Sequence, residues 1–261
     1  MKERKGNVFD LVFGFLLLLS GCAVMLYPHV NGIWKDHIMR RDAEEFLSYV
    51  ELTQPAPEQG SSHVVIQRPE EEAVMAPAIY PELWLDMKAY NESICQEEQE
   101  SLSNQSAYEA PSFQLSDYGL ESEVFGVISI PKLELEMPLL LGASKTNMAK
   151  GAAIMGQTSL PIGGNNTNCV IAGHRGWNGA AYFLYINQLE KGDIVTVTNL
   201  WETLTYVVME TKIIYPNEVD AILIQPDREM LTLLTCHPPA SGGKQRLLVF
   251  CERVINEMEV S

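Results

Sequence analysis

Positive charge is scarce in this sequence. Lys and Arg number 18 against 34 Asp and Glu, for a formal net charge of −16 over 261 residues. That balance argues against nucleic acid as a partner. Cysteine is scarce too. Five residues are too few for a disulfide-dense scaffold, and an odd number leaves at least one thiol without an internal partner. No C-x-x-C spacing occurs, which removes the commonest signature of a structural zinc site. The composition is not that of a disordered chain, with 46% hydrophobic and 20% charged residues. The length accommodates one or two domains.

Charge of either sign is missing altogether from Leu11 to Trp34, and the apolar heart of that run is Leu11–Tyr27. A membrane-spanning helix needs about 20 mostly apolar residues. Lys2, Arg4 and Lys5 precede the run, and Tyr27 and Trp34 suit its outer interface. Residues 1–41 hold six basic and three acidic side chains, so the remainder carries −19. A basic tip ahead of a greasy run predicts a single-pass anchor with a cytoplasmic N-terminus and everything after Trp34 outside. A cleaved signal peptide would need a small-x-small site, and none closes the run. Leu19-Ser20-Gly21-Cys22 has the form of a lipobox, but the chain stays apolar after Cys22.

Residues 35–52 predict a juxtamembrane helix, with Ile38, Phe46, Tyr49 and Val50 near helical spacing. Residues 53–78 are linker-like, with Pro55, Pro57, Pro69, Pro77 and the acidic run Glu70–Glu72. Pro81 suits a first helical turn, and Leu83, Met87, Tyr90 and Ile94 then form one apolar stripe. From about Phe113 short β-branched runs alternate with Gly, Pro and Asn breaks. They fall at 124–130, 137–141, 168–173, 193–197, 203–214, 231–236 and 246–251. This texture predicts a β-barrel or sandwich, with short helices near 145–151 and 180–189.

Three positions are placed for chemistry. Cys236 ends the apolar strand Thr232-Leu233-Leu234-Thr235-Cys236 just before a Pro/Gly-rich loop. A strand end holds a nucleophile firmly and leaves it accessible. A free thiol ionises near 8.5, so attack at neutral pH needs a neighbouring cation. A buried structural cysteine would look the same. His174 stands between Gly173 and Arg175 after another β run, where it is either a general acid–base or a turn histidine bonded to backbone. Arg246 opens the last strong strand, with nine residues between it and Cys236. A hairpin would bring its guanidinium level with the thiol, ready for an oxyanion; otherwise it is an exposed edge arginine. Cys169, His174, Cys236 and His237 form a rival metal set. Side chains alternate along strands, so Cys236 diverges from His237 and Cys169 from His174. The same parity sets Cys251 opposite to Arg246. Cys169 and Cys251 therefore read as structural thiols.

The segment TLLTC at 232–236 resembles the TLxTC signature of sortases. AGHRG at 172–176 looks like their catalytic-histidine segment, and RLLVFCERV at 246–254 like their catalytic-arginine strand. FGVISIPKLELEMPLLLGAS at 125–144, GAAIMGQTSLPIGGNNTNCVIAGHRGW at 151–177 and GDIV at 192–195 are similar to class C, pilus-building members. The resemblance runs from about Tyr80 to Arg253. It implies a mainly β fold, a closed, mostly antiparallel eight-stranded barrel with N-terminal helices, outside a Gram-positive membrane. The organisation it implies is a tip and anchor at 1–34, helices, linker and a lid region at 35–112, a catalytic barrel at 113–256 and a tail at 257–261.

The resemblance further implies that Cys236 attacks the Thr–Gly carbonyl of an LPXTG-like sorting signal and holds the acyl part as a thioester. His174 would move the protons and Arg246 would stabilise the oxyanion, with Thr232 and Thr235 supporting the groove. A pilin lysine amine would resolve the thioester, and no cofactor or metal is called for. Class C members usually close the groove with an Asp and an aromatic on a lid segment. Here those positions are Asn104, Gln105 and Ser106, so acid and ring are absent and the lid should be weakly anchored. Many members also carry a second membrane segment after the barrel, and none follows here before Ser261. Three other readings remain. One is a cell-wall-anchoring sortase that uses a peptidoglycan peptide amine. Another is a non-catalytic membrane-anchored binding module, and the last is a plain cysteine protease.

Overall fold

A computed structural model describes residues 8–54, 63–66, 74–97, 99, 102 and 104–254. The basic tip with Lys2, Arg4 and Lys5, most of the 53–78 linker and the 257–261 tail lie outside the described residues.

The chain opens with helix α1, Val8–Thr53, and a small hairpin of β1 (His63–Ile66) and β2 (Val74–Pro77). Helices α2 (Pro81–Gln96) and α3 (Gln105–Glu109) follow. Then come β3 (Val124–Ile130), β4 (Leu135–Leu141), α4 (Lys145–Met148) and β5 (Ala152–Ile154). The rest is β6 (Thr167–Ala172), β7 (Arg175–Trp177), β8 (Ala180–Tyr182), β9 (Ile194–Thr198), β10 (Thr203–Ile214), β11 (Glu229–His237) and β12 (Gln245–Arg253).

Eight strands close into a barrel in the order β10-β12-β11-β6-β5-β4-β3-β9. Most pairs are antiparallel, but β11 runs parallel to β6 and β4 parallel to β5. Alternation decides which residues fill the barrel. On β10, Leu204, Tyr206 and Val208 point inward, and Leu231 and Leu233 do so on β11. β6 is buried on both faces, which explains its unbroken apolar run. Cys169 and Ile171 face the barrel core, while Val170 and Ala172 join a second apolar cluster with Ala153, Met155 and Leu248.

Two expectations change here. The anchor and the juxtamembrane helix are one helix, continuous through Pro28. Its buried stripe is Met39, Ala43, Phe46 and Val50, at spacings of four, three and four. Ile38 and Tyr49 lie off that stripe. The helix expected at 180–189 is instead β8 followed by a short 3-10 turn at Ile186–Gln188. Asn178 and Gly179 both have positive φ, 50° and 91°. That is the backbone of a tight two-residue hairpin turn, and it commits the flanking residues to strands.

α2 uses the predicted stripe, with Leu83, Met87 and Ile94 buried. Asn91 fixes its register, donating to Leu160 O at 3.0 Å and accepting from Leu160 N at 2.7 Å. Leu83 is fully buried in the main core. Leu83→Ala is expected to destabilise the fold by about 2–5 kcal/mol, measured by urea unfolding. A loss below ~1 kcal/mol would mean that α2 is not integral to the barrel core.

Candidate active site

Strand register assembles the site. In the parallel β6–β11 pair, Ala172 lies opposite Leu234. Two residues further along each chain stand His174 and Cys236. On the other side of β11, Cys236 is directly paired with Arg246 of β12. Cys236 therefore sits on the middle one of three adjacent strand ends. Cys236 and Arg246 share the parity of Leu234 and Leu248, whose cluster lies outside the barrel. The site thus opens on the outer surface, and all three side chains are partly exposed.

The β11–β12 loop brings the thiol and guanidinium together at Gly243. A Cβ there would stand 2.9 Å from Arg246 Nη1 and 3.4 Å from Cys236 Sγ, and the residue has φ +79°. Arg246 Nη1 donates to Gly243 O at 2.6 Å and to Gln245 O at 3.1 Å. Its Nε and Nη2 have no hydrogen-bond partner among the described residues, so donors remain for a substrate oxygen.

His174 is held by aromatic rings. It stacks on Trp177 with centroids 4.8 Å apart and meets Tyr182 edge-on at 5.7 Å. Its carbonyl accepts from Phe183 N at 2.9 Å. Burial, and next Lys35 on α1, hold its pKa below the ordinary value of 6.5. The unfolded chain therefore takes up the proton first as pH falls. This group's contribution to stability is complete above about 6.5 and is lost progressively below it. Lys35→Met removes a cation that opposes the imidazolium. The His174 midpoint, followed by imidazole NMR, is expected to rise towards 6.5 while burial keeps it lower. An unmoved midpoint would remove Lys35 from the site.

Thr235 and Thr232 lie on the same strand as Cys236, on opposite faces of it. Thr235 lies on the inward parity of β11 and donates to Gly173 O at 2.7 Å, tying the histidine strand end to the cysteine strand. Thr232 is fully buried and donates to Asn168 Oδ1 at 2.8 Å, while Asn168 Nδ2 donates to Ile222 O. Both threonines are buried, each with its hydroxyl hydrogen-bonded to a neighbouring strand or its end.

Cys169 lies inside the barrel and shares no face with Cys236, as parity required. Burial pushes the Cys169 thiol far up and that of Cys251 up to about 12. No cluster of three metal-ligating side chains exists among the described residues.

Asn104 and Ser106 do not reach for Arg246. Asn104 caps α3, its Oδ1 accepting from Ser106 N and Oγ. Nothing is described for the side chain of Gln105. The segment still has a hold on the barrel, through Tyr108 O, which accepts from Gly156 N at 2.9 Å and Ala143 N at 3.2 Å. Tyr108 also supplies a ring against the outer apolar cluster, close enough to feel the charge of Arg246. This ring belongs to the segment that flanks the three positions 104–106, which themselves carry neither an acid nor an aromatic.

The sequence reading also overlooked Arg175, beside His174. Its Nη1 lies 3.4 Å from His237 Nδ1, and its Nη2 donates to Asn187 Oδ1 at 2.8 Å. Its Nε is buried and without a partner among the described residues. Burial lowers its pKa, against the pull of Cys236. A second guanidinium thus stands at this strand end, against His237, the residue after Cys236. Its place in the AGHRG segment was the available signal. A cavity of about 710 Å³ between α1 and β3–β4 includes none of these residues.

Residues 128–254 match the Sortase domain family. The chain is 31% identical over 133 residues to sortase A of Streptococcus agalactiae serotype III, covering 49% of this chain and 52% of that protein. It spans between about half and two thirds of the curated relatives it matches. Among solved structures, the pilus-related sortase C of Group B Streptococcus is 32% identical, with TM-score 0.54 over 66% of this chain and 92% of that one. Sortase C-1 of Actinomyces oris is 31% identical, with TM-score 0.56 over 67% of this chain and 100% of that one. With the Cys, His and Arg motifs on adjoining strand ends and relatives of this identity covered nearly whole, the chain belongs to the sortase family.

Proposed function

We propose that the chain is a membrane-anchored cysteine transpeptidase of the pilus-building kind. Cys236 gives its proton to His174 as sulfur attacks the Thr–Gly carbonyl of an LPXTG-like signal. The oxyanion that forms is met by the free donors of Arg246. The C–N bond then breaks, and the His174 imidazolium protonates the leaving amine. The acyl part remains on sulfur as a thioester. A lysine amine of a second pilin attacks that carbonyl, His174 takes its proton, and the thiolate departs.

The observation that carries this reading is the register placing Cys236 between His174 and Arg246. A pilin acceptor is favoured because a 32%-identical relative is named as pilus-related. Residues 11–30 of α1 are exposed and apolar enough to cross a membrane, which supports an N-terminal anchor with the barrel outside. The test is intact-mass spectrometry of the full chain with an LPXTG-type peptide. An acyl adduct is expected without amine, and an amide product with a lysine-bearing acceptor. Hydrolysis that persists unchanged at saturating amine would indicate a protease instead. Turnover with a peptidoglycan stem peptide but not with a pilin lysine would indicate cell-wall anchoring.

A further inference from the structure

We infer that the β7–β8 hairpin beside His174 lies in the interfacial layer of the bilayer, with Trp177 against lipid headgroups, so that the candidate active site opens at the membrane surface. The inference rests on the proposal that α1 spans the membrane.

The hairpin turn touches α1 backbone to backbone. Asn31 Nδ2 donates to Asn178 O at 2.7 Å. A Cβ on Gly179 would fall 1.8 Å from Pro28 O, and one on Gly32 would fall 2.4 Å from Gly179 O. Only glycine at both positions permits this approach. The contact therefore fixes the height of the hairpin on the helix, at residues 28–32.

That height coincides with the membrane boundary. A helix rises about 1.5 Å per residue, and a hydrocarbon core of about 30 Å takes roughly 20 residues. Counted from Leu11, the helix emerges near residue 30, and the first charge is Lys35. The barrel occupies the helix beyond that point. Met39, Ala43, Phe46 and Val50 enter its core, and Gln54 donates to Trp201 O at 3.0 Å at the far end. The hairpin is thus the membrane-proximal edge of the domain.

The exposed side chains at this edge suit lipid. Trp177 is 46% exposed and Trp34 is 61% exposed. Trp concentrates at the headgroup level, where an apolar ring and a polar N–H are both accommodated. One face of Trp177 stacks on His174. The catalytic imidazole then stands one ring away from the bilayer, and substrates reach Cys236 along the membrane surface.

The test uses the full-length chain in phosphatidylcholine–phosphatidylglycerol vesicles containing lipid brominated near the top of the acyl chain. Tryptophan emission of the wild type is compared with Trp177→Phe, Trp34→Phe and Trp201→Phe. The component lost in Trp177→Phe is expected to be quenched about as strongly as that of Trp34, and the Trp201 component to be unquenched. Gly32→Leu, which forces the helix and turn apart, is expected to weaken Trp177 quenching and leave Trp34 quenching intact. A Trp177 component as insensitive as that of Trp201, with Trp34 still quenched, overturns the inference and leaves the anchor standing. Loss of quenching at both Trp34 and Trp177 removes the anchor and the inference with it.

Discussion

Cys236→Ala is expected to abolish both acyl adduct and amide product, a loss on the order of 10⁴-fold or more in turnover. The magnitude follows from where the five thiols lie. Cys169 and Cys251 are sealed in the barrel with their thiols pushed up by burial. Cys22 lies within the apolar run of α1 and Cys95 on α2. Cys236 is the thiol that stands at a strand end with a guanidinium paired across the ladder. Removing Sγ leaves no group that can carry the acyl chain. The partly exposed position predicts little change in stability, so unfolding of the variant should track the wild type. Intact-mass spectrometry in the presence of peptide reads the adduct, and chromatography with an acceptor amine reads the product. An adduct that survives on the alanine variant would place the nucleophile elsewhere.

The barrel was legible where the chain alternates over a long run. β10 spans the expected 203–214, with buried and part-exposed residues alternating over its first half, and β3 spans the expected 124–130 as a short, nearly continuous apolar run. β5 was missed because Ala152–Ile154 is three residues long and buried on both faces, so it carries no period. The β7–β8 hairpin was missed although Asn178-Gly179 is a strong turn signal. The apolar residues after it also suit a short helix, and strands of three residues are too short to show a period of two. The division of α1 at residue 34 followed the change from apolar to charged sequence, but nothing at that point breaks a helix.

The site was legible in its residues and only partly in its geometry. The short β11–β12 connection announces the pairing of Cys236 with Arg246, because a hairpin loop sets register locally. The parallel pairing of β6 with β11 has no such loop, since the two strands are far apart in sequence, and so the placement of His174 level with Cys236 comes from the closed barrel as a whole. The same holds for Lys35. Its charge is felt at His174 because α1 packs along the barrel, an influence between residues far apart in sequence that leaves no trace in local pattern.

Arg246→Ala is expected to lower kcat/KM by about 10²–10³-fold, the usual effect of removing one oxyanion donor. The fall should appear in kcat, because the charge that Arg246 meets develops only as sulfur attacks. Arg246→Lys keeps the charge but not the planar fork, and should recover only part of the loss. Arg175 is the competing donor, and its buried Nε lacks a partner among the described residues. Its two Nη atoms, however, are engaged with His237 and Asn187, which ties it to the loop wall. Arg246 spends only Nη1 on backbone carbonyls, and its other donors have no partner among the described residues. Arg175→Ala is therefore expected to cost less than Arg246→Ala, and to act through the placement of the loop after Cys236. Single-turnover acylation on the two variants separates the roles. If Arg175→Ala stops acylation while Arg246→Ala slows it by less than tenfold, the oxyanion donor is Arg175, and Arg246 is left to position the peptide.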